Sequence, residues 1–244
     1  MSSAESSPIP ILYEDNHILV VEKPVNILSQ ADSTQDLDIL TLLKQDIKIR
    51  YNKPGNVYLG LVHRLDRPVG GAMVFAKTSK AASRLSDIIR RHELSKQYVC
   101  VVHGQPGKSS DTLTNYLLKD ERTNTVKAVS ANTPGAKKAV LDYEVLGTHD
   151  SYSFIRIQLH TGRSHQIRVQ MMTAGCPLYG DQKYGASLNK PGQQIALWSA
   201  SLAFPHPTTK EWMTFVSLPP SVEPWSRWDL SKQLESKLRS ESIT

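Results

Sequence analysis

The sequence predicts an α+β fold built on one central sheet of mixed but largely antiparallel strands, flanked by helices and loops. Short runs rich in β-branched and aromatic residues outnumber the segments with helical periodicity. The two kinds of segment do not alternate strictly, which argues against a repeated βαβ fold. No linker rich in Gly or Ser divides the 244 residues. We therefore expect one catalytic domain over residues 11–225, after a disordered segment 1–10 and before a helical tail 226–244.

The first half of the chain contains two predicted helices between strands. Residues 11–24, ILYEDNHILVVEKP, are typical of two strands joined by an Asp-Asn turn, and Pro24 ends the second. A helix is predicted over 36–51, and a second one from a cap at Thr78 or Ser79 to His92. Their apolar positions recur at helical spacing: Leu37, Leu40, Leu43 and Ile47 in the first, and Ala82, Leu85, Ile88 and Ile89 in the second.

The second half reads mostly as strands. A strand over 97–104 precedes a charged, turn-rich region, and residues 141–147 and 151–160 then form a predicted hairpin. Ser164 can cap a helix that runs to Ala174. Two more strands, QQIALWSASLAF and KEWMTFVSLP, are joined by a rigid Pro-His-Pro turn.

Composition limits the class of protein. Lys and Arg exceed Asp and Glu by 29 − 23 = 6, and the isoelectric point is about 9.2. This surplus fits a polyanionic partner and equally a merely basic surface. Cys100 and Cys176 have no metal-ligand spacing, so we expect neither a disulfide framework nor a metal site. The sequence shows no signal-peptide pattern and no bilayer-length apolar run, so we expect a cytoplasmic protein without a membrane partner.

Residues 61–71, LVHRLDRPVGG, concentrate charge between two apolar runs. Arg64, Asp66 and Arg67 are poor core residues, because Asp and Arg are almost never fully buried unless they are paired. The flanking runs, VYLGLV and AMVFAKT, are typical of strands that enter a core. We therefore expect the charged residues on a loop at the end of a sheet, where catalytic groups are commonly held.

Two further stretches share this character. The strand KQYVCVVHG opens with Lys96 and Tyr98, and LHTGRSHQIRV gathers cationic residues at a predicted helix start. In a helix, His165 and Arg168 share one face. Polar and charged residues thus stand again where regular elements begin.

These stretches resemble the signatures of the RluA family of pseudouridine synthases. LVHRLDRPVGG resembles the family's HRLD motif, and LHTGRSHQIRV, continued by PLYGDQKYG, resembles its second signature. ILYEDNHILVVEKP and LWSASLAFPHP also look like family segments in the expected order. The resemblance covers residues 11–219, and several ordered motifs are far harder to match by chance than a lone tetrapeptide.

The chain also departs from the family pattern. Val69-Gly70-Gly71 stands where many members have Thr-Ser-Gly, which we expect to loosen the loop. Gln170 stands where His is frequent, and neither change is expected to touch the aspartate. Because the sequence starts directly at the catalytic domain, we expect no accessory N-terminal RNA-binding domain.

The resemblance implies a pseudouridine synthase fold with a central active-site cleft. It also implies a reaction that breaks the N1–C1′ bond of a uridine, turns the uracil and joins C5 to C1′. That balance requires no redox change, nucleotide or metal, so no cofactor is expected. A carboxylate can attack an electrophilic carbon and later leave, and the resemblance assigns this role to Asp66. Whether Asp66 attacks C6 of the base or C1′ of the sugar stays open.

The resemblance implies roles for other residues. Arg168 would keep Asp66 ionised and aimed, because a buried carboxylate needs a partner. Tyr98 would lie against the flipped uracil, and could also take part in the proton transfer at C5. Arg64 would help to fill the place that the uridine leaves. The other predicted RNA-binding residues are Lys96 and a group that could equally orient the loops: His63, Arg67, Arg163 and His165.

The predicted enzyme is a monomer that acts on ribosomal or transfer RNA without an obligate protein partner. Two other classes compete with it. A catalytically silent RNA-binding or ribosome-assembly factor of the same fold would be favoured if Asp66 or Arg168 were missing, and both are present. An Asp-based hydrolase, such as a glycosidase, needs a second carboxylate near the first. The motifs offer only Asp181, which a turn after Gly180 explains more simply.

Overall fold

The computed structural model describes residues 9–32 and 34–234. Three α-helices flank the sheet in this part of the chain: α1 (Ile39–Arg50), α2 (Ser79–Arg90) and α3 (Gln166–Thr173). The strands are β1 (Ile11–Glu14), β2 (Ile18–Lys23), β3 (Gly60–Leu61), β4 (Gly70–Ala76), β5 (Ser95–His103), β6 (Ser110–Asp120), β7 (Thr125–Val129), β8 (Lys137–His149), β9 (Tyr152–Leu159), β10 (Leu197–Pro205) and β11 (Trp212–Val216).

All these strands belong to one sheet. Its main order is β1-β2-β4-β10-β5-β9-β8-β6-β7, and β3 and β11 pair with β4 and β10. Among the described strand pairs, β4 and β10 run parallel at the centre and the others are antiparallel. The predicted α+β class with a mixed, largely antiparallel sheet is confirmed.

The sheet is covered on both faces, and its central strands carry buried apolar residues on each face. In β2, Leu19 and Val21 face a core that includes α1, whereas Ile18 and Val20 face a core that includes α2. Successive strand residues point to opposite faces, so a strand buried on both faces reads as an unbroken apolar run. The helix α3 lies on the α1 side and packs over the outer strands β6 and β7.

The two predicted helix starts in α1 and α3 are wrong by a few residues. The helix α1 begins at Ile39 rather than residue 36, because the side chain of Asp38 accepts a hydrogen bond from the Thr41 amide. Leu37, predicted on the buried face, is 67% exposed. The helix α3 begins after His165, which has a left-handed conformation (φ 51°), so Ser164 is not the cap.

The predicted turn-rich region after residue 104 contains long strands instead. β6, β7 and the first half of β8 form the outer end of the sheet, where exposed positions alternate with half-buried or buried ones. Lys137 and Lys138 open β8, and Lys119 and Asp120 close β6. An outer strand with one face toward water accommodates such charges. Because the charges interrupt the apolar pattern, the strand is hard to recognise in the sequence.

The chain ends pack more closely than the predicted boundaries imply. Ile9, placed in the disordered segment 1–10, packs against the core, and residues 1–8 lie outside the described residues. Trp228, Leu230 and Leu234 lie beyond residue 225 but share a buried cluster with Val99 of β5. Of the predicted helical tail 226–244, residues 226–227 belong to a 3-10 turn, 228–229 are not helical and 230–234 are helical, whereas 235–244 lie outside the described residues. No helix within the described ranges is both long and apolar enough to cross a bilayer.

Candidate active site

Asp66 lies on the loop that connects β3 to β4, as predicted. The loop closes with a hydrogen bond from the Val69 amide to the Asp66 carbonyl (3.0 Å). On its other side, the buried hydroxyl of Ser29 donates to the Leu65 carbonyl (2.7 Å) and accepts from the Leu65 amide (3.1 Å). Backbone contacts therefore fix the loop and leave the Asp66 carboxylate, 30% exposed, free to face a cavity.

Lys23, at the end of β2, also binds the loop that carries Asp66. Its side chain is fully buried, and Nζ donates to the carbonyl oxygens of Pro24 (3.0 Å), Arg67 (3.2 Å) and Val69 (2.8 Å). Burial lowers the pKa of Lys23 to about 7, and the charge of Asp66 opposes this shift. Lys23 thus ties the end of β2 to the part of the loop that follows Asp66.

The Val69-Gly70-Gly71 segment is tightly packed, so the expectation of a looser loop is wrong. A Cβ at Gly70 would lie 2.3 Å from the indole of Trp198. At Gly71, where φ is +112°, a Cβ would lie 2.3 Å from the Ser199 carbonyl oxygen. Glycine is required here because β4 runs directly beside β10 at this point.

Arg168 contacts Asp66 as the resemblance implies, but its stronger partner is Asp181. The Arg168 Nη1 donates to Asp66 Oδ2 at 3.4 Å. Its Nε and Nη2 donate to the two carboxylate oxygens of Asp181, both at 2.8 Å. Asp181 does form a turn, since Oδ1 accepts from the Lys183 and Tyr184 amides. The prediction of turn duty alone was wrong, because the buried Asp181 also anchors Arg168 in two-point geometry.

Tyr184 and His165 also lie against the ion pair of Arg168 and Asp66. The Arg168 guanidinium lies over the Tyr184 ring, 5.1 Å from its centre. The Tyr184 hydroxyl accepts from the Val126 amide (2.8 Å) and bonds His165 Nδ1 (2.7 Å). The other ring nitrogen, His165 Nε2, lies 3.9 Å from Asp66 Oδ2. Burial lowers the pKa of His165, against the charge of Asp66.

Two glutamines position α3. The Gln166 side chain accepts from the Arg163 amide (3.0 Å) and donates to the Val140 carbonyl (3.1 Å), which joins the helix start to β8. The Gln170 amide donates to the Leu113 carbonyl (3.0 Å) on β6. Gln170, the departure from the family pattern, thus contacts the outer strands rather than Asp66, as expected.

Tyr98 presents a neutral, nearly buried ring to the cavity. It lies on β5 opposite Ser199 of β10. Burial raises the pKa of its phenol well above the ordinary value, and the nearby charge of Asp66 acts in the same direction. The ring is therefore available as an uncharged face.

His63, Arg64 and Arg67 diverge in their surroundings. The Val74 amide donates to His63 Nε2 (3.0 Å), and burial with the charge of Lys96 lowers the pKa of His63 to about 3. His63 is thus a neutral acceptor that orients the loop. Arg64 is exposed and lines the cavity. Arg67 points elsewhere, to an exposed ion pair with Asp36 at 2.6 Å.

A cavity of about 840 Å³ collects these groups, and every predicted site residue except Arg67 lines it. A volume of this size suits a nucleotide-sized ligand. Asp66 is the sole carboxylate among the described lining residues. The lysines and arginines of the lining are Arg64, Lys96, Lys138, Arg163 and Arg168. Within residues 9–32 and 34–234, no group of three His, Cys, Asp or Glu side chains is placed to hold a metal ion.

Several supporting residues escaped the sequence analysis. Lys23 left a signal, since it is a charge at the end of the buried run ILVVEK. Asp181 and Tyr184 lie in the motif PLYGDQKYG but received no role in supporting Asp66, and Ser29 left no signal, because such residues are common in turns and on surfaces. Gln194, whose side chain donates to the Pro68 carbonyl at 2.6 Å, is likewise ordinary in sequence.

Comparisons with known proteins agree with this geometry. A family model described as RNA pseudouridylate synthase matches residues 17–173. The uncharacterized RNA pseudouridine synthase YjbO of Bacillus subtilis is 35% identical over 213 residues, 87% of this chain and 73% of that protein. Ribosomal large subunit pseudouridine synthase D of Haemophilus influenzae is 32% identical over 228 residues, 86% of this chain and 67% of that protein.

Solved structures share the fold. Human RNA pseudouridylate synthase domain containing 4 superposes with a TM-score of 0.73 at 23% identity, covering 86% of this chain and 88% of that one. Human RNA pseudouridylate synthase domain containing 1 gives a TM-score of 0.72 at 22% identity, covering 98% of each chain.

The family model and these relatives define the class of this protein, an enzyme that modifies RNA. The chain belongs to the RNA pseudouridylate synthase family, as its resemblance to the RluA group implied. It is an isomerase that converts uridine in RNA to pseudouridine, and the silent binding factor and the hydrolase are set aside. The hydrolase also lacks its second carboxylate, because Asp181 is bound to Arg168 and does not line the cavity.

Proposed function

We propose that this enzyme isomerises specific uridines in structured RNA, and that Asp66 is the nucleophile that attacks a uridine turned out of its stack. One observation carries the proposal. Asp66 is the sole carboxylate in the described lining of a cationic cavity, and it is paired with Arg168 at 3.4 Å. A carboxylate that is held on a fixed loop, open to the cavity and paired with a guanidinium is suited to covalent attack.

The contacts of Asp66 suggest which oxygen reacts. Arg168 and His165 both approach Oδ2, and among the described residues no group hydrogen-bonds Oδ1. We assign the attack to Oδ1, because its lone pairs are not engaged. Oδ1 forms a bond to C1′ of the sugar or to C6 of the base, the N1–C1′ bond breaks, and the uracil turns. The C5–C1′ bond then forms, the bond from Oδ1 to carbon breaks and releases the carboxylate, and C5 loses a proton while N1 gains one, so that the reaction is an isomerisation.

Tyr98 would support the uracil through its ring. Aromatic side chains stack on any base without reading its edge. Because burial raises the pKa of the Tyr98 phenol, a phenolate is scarce at neutral pH. We therefore assign the proton transfer at C5 to another group and keep Tyr98 as the stacking surface.

Large-subunit ribosomal RNA is the first substrate to test, with transfer RNA second. Relatives at 32% and 30% identity are named ribosomal large subunit pseudouridine synthases D and C, from Haemophilus influenzae and Buchnera aphidicola. Loops are the expected targets, since their bases can splay outward. We also propose that the enzyme is a cytoplasmic monomer, which light scattering and cell fractionation would test.

The test has two stages. Pseudouridines are mapped in RNA from cells with and without the gene, and purified protein is then assayed on the sites that disappear. Asp66→Asn, nearly isosteric but a poor nucleophile, is expected to abolish isomerisation while thermal stability and RNA affinity persist. Pseudouridine formation by pure Asp66→Asn protein would overturn the mechanism, and unchanged maps would overturn the assigned substrates.

A further inference from the structure

Lys96 is a cation of the cavity without a partner. It lies near the start of β5, half-buried in the wall of the cavity. Among the described residues, its Nζ makes neither a hydrogen bond nor an ion pair, and burial lowers its pKa. An unpaired ammonium away from bulk water is costly unless a ligand compensates it.

Two other cations near the reacting carboxylate, Arg168 and Lys23, are already engaged. Arg168 is bound to Asp181 and Asp66, and Lys23 is bound to three backbone carbonyls. His63, the neighbour that feels the charge of Lys96, is neutral and accepts from a backbone amide. The protein therefore supplies no anion to Lys96, and the substrate is the remaining source of one.

Space beside Lys96 is kept open by Gly162. A Cβ at Gly162 would lie 3.1 Å from Lys96 Nζ, so the ammonium lies directly against the turn between β9 and α3. Arg163, the next residue of this turn, is exposed and also lines the cavity. Lys96 and Arg163 thus place two cationic side chains at this turn, where Gly162 contributes no side chain.

We propose that Lys96 binds a non-bridging phosphate oxygen of the RNA backbone next to the target uridine, in a subsite formed with Gly162 and Arg163. A uracil ring is neutral, so the phosphodiester is the anionic part of the substrate that a point charge recognises. This inference rests on the proposed function only in placing the uridine at Asp66.

Salt dependence of binding tests the phosphate contact. The probe is a nine-nucleotide RNA with one central uridine, and all proteins carry Asp66→Asn so that no reaction occurs. Each phosphate contact on a single strand contributes about 0.7 to the slope of log affinity against log salt. Lys96→Gln is expected to reduce the slope by about 0.7, whereas Lys96→Arg keeps it. Lys48→Gln, an exposed lysine of α1 outside the cavity, is the matched control and keeps it too.

Methylphosphonate substitution locates the contact. The linkage on the 5′ or the 3′ side of the uridine is made uncharged, one at a time. At one of the two positions, the substitution is expected to weaken RNA binding by the protein that retains Lys96 but not by the Lys96→Gln variant. An unchanged salt slope in Lys96→Gln would overturn the subsite. So would losses of RNA affinity from the methylphosphonate and from Lys96→Gln that are additive at both positions. If the Asp66 nucleophile proved wrong, these binding measurements would still decide the role of Lys96.

Discussion

Asp181 accepts two hydrogen bonds from Arg168, both 2.8 Å long, although Asp181 does not line the cavity. The Asp181 side chain is fully buried and that of Arg168 is 8% exposed. Burial acts to raise the pKa of Asp181, but the guanidinium and two backbone amides hold it below its usual value. Only Nη1 of Arg168 is left to reach Asp66. Asp181, which does not line the cavity, thus sets the orientation of the Arg168–Asp66 ion pair.

Asp181→Asn should therefore lower turnover more than substrate binding. The asparagine amide would place N–H groups against those of Arg168, which turns the guanidinium away from Asp66. A displacement of this kind costs about 100-fold in rate, and breaking a buried ion pair costs about 3–5 kcal/mol of unfolding free energy. Single-turnover rates and denaturant unfolding measure the two effects.

Asp87→Asn is the matched control for that substitution. Asp87 pairs with Arg90 and Arg91 on the surface of α2, where such pairs contribute at most about 1 kcal/mol. We expect it to leave both rate and stability close to wild type. A normal turnover rate in folded Asp181→Asn protein would show that Arg168 is oriented by other contacts.

Substitutions of Arg168 should rank wild type above Lys and Lys above Ala in single-turnover rate. Lysine keeps the charge near Asp66 but loses the two-point contact with Asp181. Alanine leaves both carboxylates without their cation. Affinity for RNA should change much less than rate, because Arg168 faces the reacting uridine. If the whole loss in Arg168→Ala were in binding, the residue would be a phosphate contact instead.

Lys23→Met should destabilise the protein in a pH-dependent way. Three carbonyls lose their donor, and an unsatisfied buried polar group costs about 1–3 kcal/mol. The pKa of Lys23 is about 7 in the fold and 10.5 when solvated, so between these values the unfolded chain binds more protons. Wild type should therefore gain stability over Lys23→Met as pH rises from 7 to 9.5.

Denaturant unfolding at several pH values measures this difference. The exposed Lys48→Met variant supplies the baseline, and its difference from wild type should not vary with pH. A stability difference for Lys23→Met that stays flat over the same range would show that the carbonyls and Asp66 keep Lys23 charged.

Arg64→Ala should weaken productive binding of a hairpin RNA more than that of a flexible strand. A stacked uridine must be extruded at a cost of a few kcal/mol, and Arg64 stands exposed at the cavity to replace it. We expect about a tenfold loss in kcat/KM on the hairpin. Arg67→Ala, an exposed neighbour paired with Asp36 outside the cavity, is the control. Equal losses on both RNAs would return Arg64 to a scaffold role.

Much of the fold and the position of Asp66 on a loop of the cavity were predictable from the sequence. Unbroken apolar runs such as ILVV in β2 and YVCVV in β5 indicate strands buried on both faces. Asp66 stands out because a charge between two such runs must emerge at a loop. The motifs around Asp66 and Arg168 then identified the family, since motifs persist where backbone and chemistry constrain the residue.

The resemblance implied the contact between Arg168 and Asp66, but the tertiary structure alone decided that Asp181 is the closer partner of Arg168. Asp66 lies 102 positions before Arg168, and Asp181 lies 13 positions after it. Arg168 makes its shorter contacts with Asp181. Sequence spacing cannot rank them, because a hydrogen bond depends on differences of a few tenths of an ångström. The polar strands β6 and β7 were hidden for a related reason. Their stability comes from pairing and from α3 packed across them, and neither leaves an apolar run in the sequence.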